Sequence, residues 1–143
     1  MLVETVAIAR DVHDVYRAFA DITYWKQVLP DVLGVELLYD DGRHQEFTMT
    51  VSRPSGAETV RGIRFCDEGR RIELVQPQPP PSFRRMVGVW TFEPQGNVTH
   101  VKAERWFELK DASVGPLEGF RDRIATYLRT NLAHFKSHLE ASR

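Results

Sequence analysis

The sequence predicts an α+β domain: a curved antiparallel sheet of seven strands wrapped around one long C-terminal helix, with two short helices after the first strand. Three observations predict it. Between residues 32 and 110 apolar and polar residues alternate with a period of two, interrupted only by short turn signals. After residue 116 the apolar spacing changes to three and four. The chain is 143 residues long, the size of one domain, so residues 1–143 read as a single unit.

The elements follow in order. Leu2 to Ala9 alternates (Val3, Thr5, Val6, Ile8) and reads as a strand. Asp11 is placed to cap a helix, and Val12, Val15, Tyr16 and Phe19 give residues 11–21 one apolar face. A second short helical piece, Ile22 to Leu29, stops before Pro30. Six strands follow, separated by turn signals at Asp41-Gly42, Ser55-Gly56, Glu68-Gly69 and Gln95-Gly96-Asn97, and such short turns make an antiparallel meander. The run Pro77-Gln78-Pro79-Pro80-Pro81 reads as a loop or an edge excursion. From Pro116 to about residue 141, Leu117, Phe120, Ile124, Tyr127, Leu128, Asn131, Leu132, Phe135 and Leu139 form one helical stripe. A helix of that length spans ~39 Å and needs a broad surface to cover its stripe. The meander supplies that surface.

Composition narrows the function. Nineteen basic and twenty acidic side chains leave a formal net charge of −1, which lacks the electrostatic footprint of a nucleic-acid binder. One cysteine, Cys66, excludes an intrachain disulfide and argues against a thiolate-ligated metal or cluster. The histidines at 13, 44, 100, 134 and 138 form no HExxH pattern, and His134 with His138 reads as solvated helix surface, so neither metal nor cofactor is expected. No apolar run approaches the ~18 residues of a membrane span, and the N-terminal residues make no secretory signal, so a cytoplasmic protein is expected.

Several words of the sequence resemble a known superfamily. The stretch FADITYWKQVLPDVLGVELL is similar to the segment that follows the first strand in helix-grip proteins of the START (SRPBCC) superfamily. VRGIRFCDEGRRI, MVGVWTFEPQGN and RTNLAHFKSHLE resemble segments of its tetracenomycin-type polyketide aromatase/cyclases. The likeness spans nearly the whole chain with sparse identities. It implies the helix-grip fold and a mostly apolar cavity between sheet and helix, expected here to be lined by Trp90, Met86, Val60 and Leu128.

The resemblance also implies residue roles. Alternation groups Glu58, Val60, Gly62, Arg64 and Cys66 on one face of their strand and Thr59, Arg61, Ile63 and Phe65 on the other. Hydrophobicity alone turns Ile63 and Phe65 inward, whereas the likeness of GIRFCDEG to the aromatase/cyclases turns Arg64 inward as a pocket arginine. A guanidinium there would hold the oxygen on which charge develops during aldol closure of a poly-β-ketone. An inward Arg64 that held only ligand would be dispensable for stability.

Tyr127 is the candidate proton donor, or a stripe tyrosine with its hydroxyl at the edge. Arg105 shares a strand face with Val101, Ala103 and Phe107. It is either buried against a carboxylate or ligand oxygen, or it snorkels at the rim. Trp25 matches the family's tryptophan after the first helix and suits core packing, whereas Trp90, with Met86, suits the pocket wall. Asn131 interrupts the apolar stripe of the long helix and matches an asparagine on that helix in the relatives, so its amide needs a backbone or ligand partner. Arg84 reads as an exposed rim. The chain departs from the cyclases at Val32, where they carry a tyrosine, and around Pro77, where they carry a second pocket arginine.

The expected function is aldol cyclisation and dehydration of a poly-β-ketone in aromatic or antibiotic polyketide biosynthesis, on a chain that is free or presented by an acyl carrier protein. The alternative is a non-catalytic carrier or self-resistance protein that binds a hydrophobic metabolite.

Overall fold

The computed structural model describes residues 1–111 and 115–141. Strand β1 (Leu2–Ile8) leads into helix α1 (Val12–Ala20), a single 3-10 turn (Ile22–Tyr24) and helix α2 (Trp25–Val28). Strands β2 (Val32–Asp40), β3 (His44–Arg53), β4 (Gly56–Asp67), β5 (Arg71–Gln78), β6 (Phe83–Gln95) and β7 (Val98–Leu109) follow, and helix α3 (Leu117–Ala141) closes the described chain. Asp11 does cap α1, its carboxylate accepting from the Asp14 amide at 2.9 Å.

The strands form one antiparallel sheet in the order β1-β7-β6-β5-β4-β3-β2. Each of β2 to β7 lies beside its sequence neighbours, as short turns dictate, while β1 adds to β7 at the far edge. Gly96 closes the β6–β7 turn with φ +64°, a left-handed conformation that glycine adopts without strain.

One sequence expectation needs correction. Leu117 opens α3 but is 53% exposed, so the buried stripe begins at Phe120 and continues through Leu128, Leu132, Phe135 and Leu139. The proline run takes both of its expected forms: residues 79–81 connect β5 to β6, and Pro77 sits at an open edge. It lies within β5 where the β4–β5 register slips between Arg61↔Gln78 and Ile63↔Val75, and the ladder to β6 has already ended at Val75↔Val87. A bulge with one open side tolerates a residue that has no amide hydrogen.

The main core joins the first helices, the sheet and the C-terminal half of α3. Phe135 stacks on Phe19 with centroids 4.0 Å apart and meets Trp25 edge-on at 5.4 Å. A second, smaller cluster of Phe83, Met86 and Phe120 sits under the start of α3, and Ile124 packs against both. Glycine on the concave face makes room for neighbours. A Cβ at Gly62 would lie 2.6 Å from Phe47 Cζ and 3.0 Å from Leu74 Cδ1. Gly62→Ala is therefore expected to cost about 1–3 kcal/mol by overpacking, measurable as a lower urea midpoint at unchanged m-value.

Candidate functional site

The concave face of β4 carries Val60, Gly62, Arg64 and Cys66, all buried, while Phe65 is 44% exposed on the other side. Arg64 is completely buried, and each nitrogen of its guanidinium has a protein partner. Nη1 donates to the Phe19 carbonyl at 2.8 Å, Nη2 to the Ala20 carbonyl at 2.7 Å, and Nε to Gln45 Oε1 at 2.9 Å. Phe19 and Ala20 end α1, so a positive charge sits where the helix dipole is negative and where carbonyls lack intrahelical donors. Gln45 itself donates to Ala20, and Trp25 Nε1 donates to Phe19 at 3.0 Å. Arg64 thus ties β4 to the end of α1. The expectation that it is dispensable for stability does not survive this bonding. Gln45, buried and polar on β3, was not singled out from the sequence; its place opposite Arg64 in the β3–β4 register was the available signal.

Arg105 is built differently. It lies on β7 opposite Gly88 of β6, 8% exposed, and so is buried rather than at a solvated rim. Its one hydrogen bond among the described residues runs from Nη1 to the Glu104 carbonyl at 3.0 Å. No carboxylate pairs with it: Glu104 lies 4.0 Å from Lys102, and Glu4 binds Arg129. Burial pushes its pKa down to about 10, and the phenol of Tyr127 opposes that shift.

The guanidinium lies over Trp90, 4.5 Å from the ring centroid, and flat on Gly88. A Cβ at position 88 would lie 2.4 Å from Nη1 and 2.7 Å from Cζ, so glycine is what admits the arginine. Arg64 lies 5.9 Å from the same Trp90 ring, which leaves the indole between two cations.

The remaining candidates divide. Trp25 is buried in the main core, edge-on to Trp90 at 5.6 Å and bonded to the Phe19 carbonyl. Val60 and Leu128 also belong to that core, whereas Met86 belongs to the smaller cluster. Tyr127 is half-buried on α3, its ring under the Arg53 guanidinium at 5.3 Å and its hydroxyl without a hydrogen bond among the described residues. Asn131, one turn further, is half-buried, and its amide has no protein partner among them either. Arg84 is exposed and pairs with Glu108 at 2.9 Å. Glu58, which sequence reasoning placed on the inner row without giving it a role, holds a buried Oε1 with no hydrogen-bond partner.

Among the described residues no group of His, Cys, Asp and Glu gathers to hold a metal. Burial raises the Cys66 thiol pKa, which leaves it a poor nucleophile. A hollow of about 380 Å³ lies between α1 and the sheet end, lined by Tyr16, Gln45 and Cys66 among others. Beneath α3 the expected lining residues divide, Val60, Trp90 and Leu128 belonging to the larger cluster and Met86 to the smaller.

A model of the family described as polyketide cyclase / dehydrase and lipid transport matches residues 2–140. The chain belongs to this family. Solved structures agree on the polyketide cyclase / dehydrase fold. The di-domain aromatase/cyclase StfQ of the steffimycin pathway superposes with a TM-score of 0.83 at 23% identity, over 95% of this chain and 49% of StfQ. The aromatase/cyclase ZhuI of Streptomyces sp. R1128 gives 0.82 at 18% identity, over 99% of this chain and 91% of that one. A START superfamily protein of Mycobacterium smegmatis gives 0.77 at 19%, over 99% and 94%. At these identities the likeness establishes the fold alone, and the chain spans about half of StfQ. No curated protein matches it. The family includes both cyclases and lipid carriers, and its fold is the helix-grip architecture expected from the sequence. No described helix is long and apolar enough to cross a membrane.

Proposed function

We propose that this member of the polyketide cyclase / dehydrase family is an aromatase/cyclase that closes a ring in a poly-β-ketone, and that Arg105 rather than Arg64 holds the reacting oxygen. The observation that carries this reading is a buried guanidinium that, among the described residues, has most of its donors unbonded and no acidic partner, and that feels the phenol of Tyr127 electrostatically. A buried arginine without a counter-charge is costly unless a ligand supplies oxygen acceptors. In the aldol step a methylene proton leaves to water, the enolate carbon bonds to a ketone carbon, the new alkoxide takes a proton from Tyr127, and the water returns the methylene proton to the phenolate. Loss of water then conjugates the ring. Arg105 stabilises the oxygen as its charge grows, Trp90 offers a flat wall, and Asn131 offers an amide to a second ketone. Arg64 acts by holding α1, Trp25 and Trp90 in place.

The second reading, a carrier that binds a hydrophobic metabolite without turnover, is favoured by Val32. It is packed into the core at 3% exposure where the cyclases carry a tyrosine. One experiment separates the two. A minimal polyketide synthase is run with and without the protein and the products are resolved by chromatography. The enzyme reading expects a new cyclised product, reduced about 100-fold with Arg105→Ala, the usual size for losing an oxyanion donor. An unchanged product mixture, together with quenching of Trp fluorescence by aromatic polyketides, would establish the carrier reading instead.

A further inference from the structure

Arg105 differs from Arg64 in one respect that bears on ligand charge. Both guanidiniums are buried on the concave face, yet Arg64 is satisfied by two helix-end carbonyls and an amide. Among the described residues Arg105 leaves Nε and Nη2 without a hydrogen bond. Nε and Nη2 are adjacent edge donors of one planar fork, the pair that grips both oxygens of a carboxylate at once. A ketone offers one oxygen and no charge. The nearby acids are committed elsewhere, Glu4 to Arg129 across β1 and α3 and Glu104 to Lys102 on β7.

We propose, resting on the site assignment above, that Nε and Nη2 of Arg105 grip an ionised carboxylate of the ligand while its remaining Nη hydrogens meet the reacting oxygen, so that the preferred ligand is a released polyketide acid rather than a neutral carrier-bound thioester, and that Gly88 sets this preference. Gly88 is a positioning residue. It lets the fork lie flat against β6 beneath Trp90, which fixes the direction of the two free donors. Gly88→Ala leaves the arginine in the chain but drives a methyl into Nη1 and Cζ, so the flexible side chain must leave its seat. The charge remains and the geometry is lost.

The test uses two flat probes that differ at one group, anthraquinone-2-carboxylate and anthraquinone-2-carboxamide, titrated against the intact protein by Trp fluorescence at neutral pH. Wild type is expected to bind the carboxylate at least ~10-fold more tightly, the size of a charge-assisted hydrogen bond inside a protein. That ratio should fall to about 1–3 in Arg105→Gln and in Gly88→Ala, each checked for folding by its thermal melt, as the charge-assisted bond is lost. Equal affinities in wild type, or a ratio that persists in Arg105→Gln, would overturn the carboxylate assignment while leaving cyclisation to be judged by its own product assay. Failure of both probes to bind would overturn the assignment together with the reading of Arg105 as a ligand-holding residue. An unchanged ratio in Gly88→Ala alone would remove Gly88 from the account.

Discussion

Arg64→Ala is expected to destabilise the protein by about 3–5 kcal/mol, because it removes three charge-assisted hydrogen bonds, each worth about 1.5–3 kcal/mol net of desolvation, though not additively. Two opposing effects set the size. Deleting a buried charge relieves its desolvation, which alone would stabilise. Against this, Arg64 heads the fully buried side chains by volume, so its loss leaves a hole among Trp25, Phe47 and Trp90. The Phe19 and Ala20 carbonyls each keep a second donor, from Trp25 and Gln45, which keeps the loss from being larger. Arg64→Met refills the hole without the charge and should recover part of the loss. Thermal melts of the three proteins decide the matter; an Arg64→Ala midpoint equal to wild type would show that the clamp contributes nothing.

Phe135→Ala should cost a similar amount, about 3–5 kcal/mol, the range for truncating a buried phenylalanine. Phe135 is 1% exposed and is the residue of α3 that stacks on Phe19 of α1 and meets Trp25 of α2. Its removal therefore loosens all three helices together. Phe135→Leu keeps most of the volume and should lose less than half as much. The comparison is made by urea unfolding, and equal losses for the two variants would show that ring contacts add nothing beyond volume.

Much of the fold was readable because local signals agreed. The Asp11 cap, the period of two from β2 to β7 and the stripe from Phe120 to Leu139 each name one element. The signals that failed were those tertiary context decides. Pro77 left loop and edge open because a sequence does not show where a ladder slips, and Leu117 looked buried because the stripe does not show where the sheet stops covering it. For β4, hydrophobicity pointed Ile63 and Phe65 inward and the family likeness pointed Arg64 inward; the chain follows the second because helix-end carbonyls outside the strand satisfy the guanidinium. Arg105 was visible as a charge in an apolar row, but whether a carboxylate met it depended on β1 and α3. Gly88 could have been noticed between Met86 and Trp90 on one strand face. What it makes room for lies on another strand.

The place of β1 has a consequence for how the protein is made. Leu2 pairs with Arg105 and Ile8 with Thr99, so β1 waits until β7 has been made before it gains its partner. Sheets closed by such distant pairings fold slowly, and the waiting segment stays exposed in the meantime. On the ribosome, β2 to β6 can assemble hairpin by hairpin while β1 and the α1 face that packs over β6 have nowhere complete to dock. The strand that carries Arg105 is also the one that closes the sheet. A nascent chain cut short before residue 98 would therefore lack Arg105 and present an unpaired β1 and β6 edge to chaperones and proteases, which makes closure of the sheet and burial of Arg105 against Trp90 a single late event.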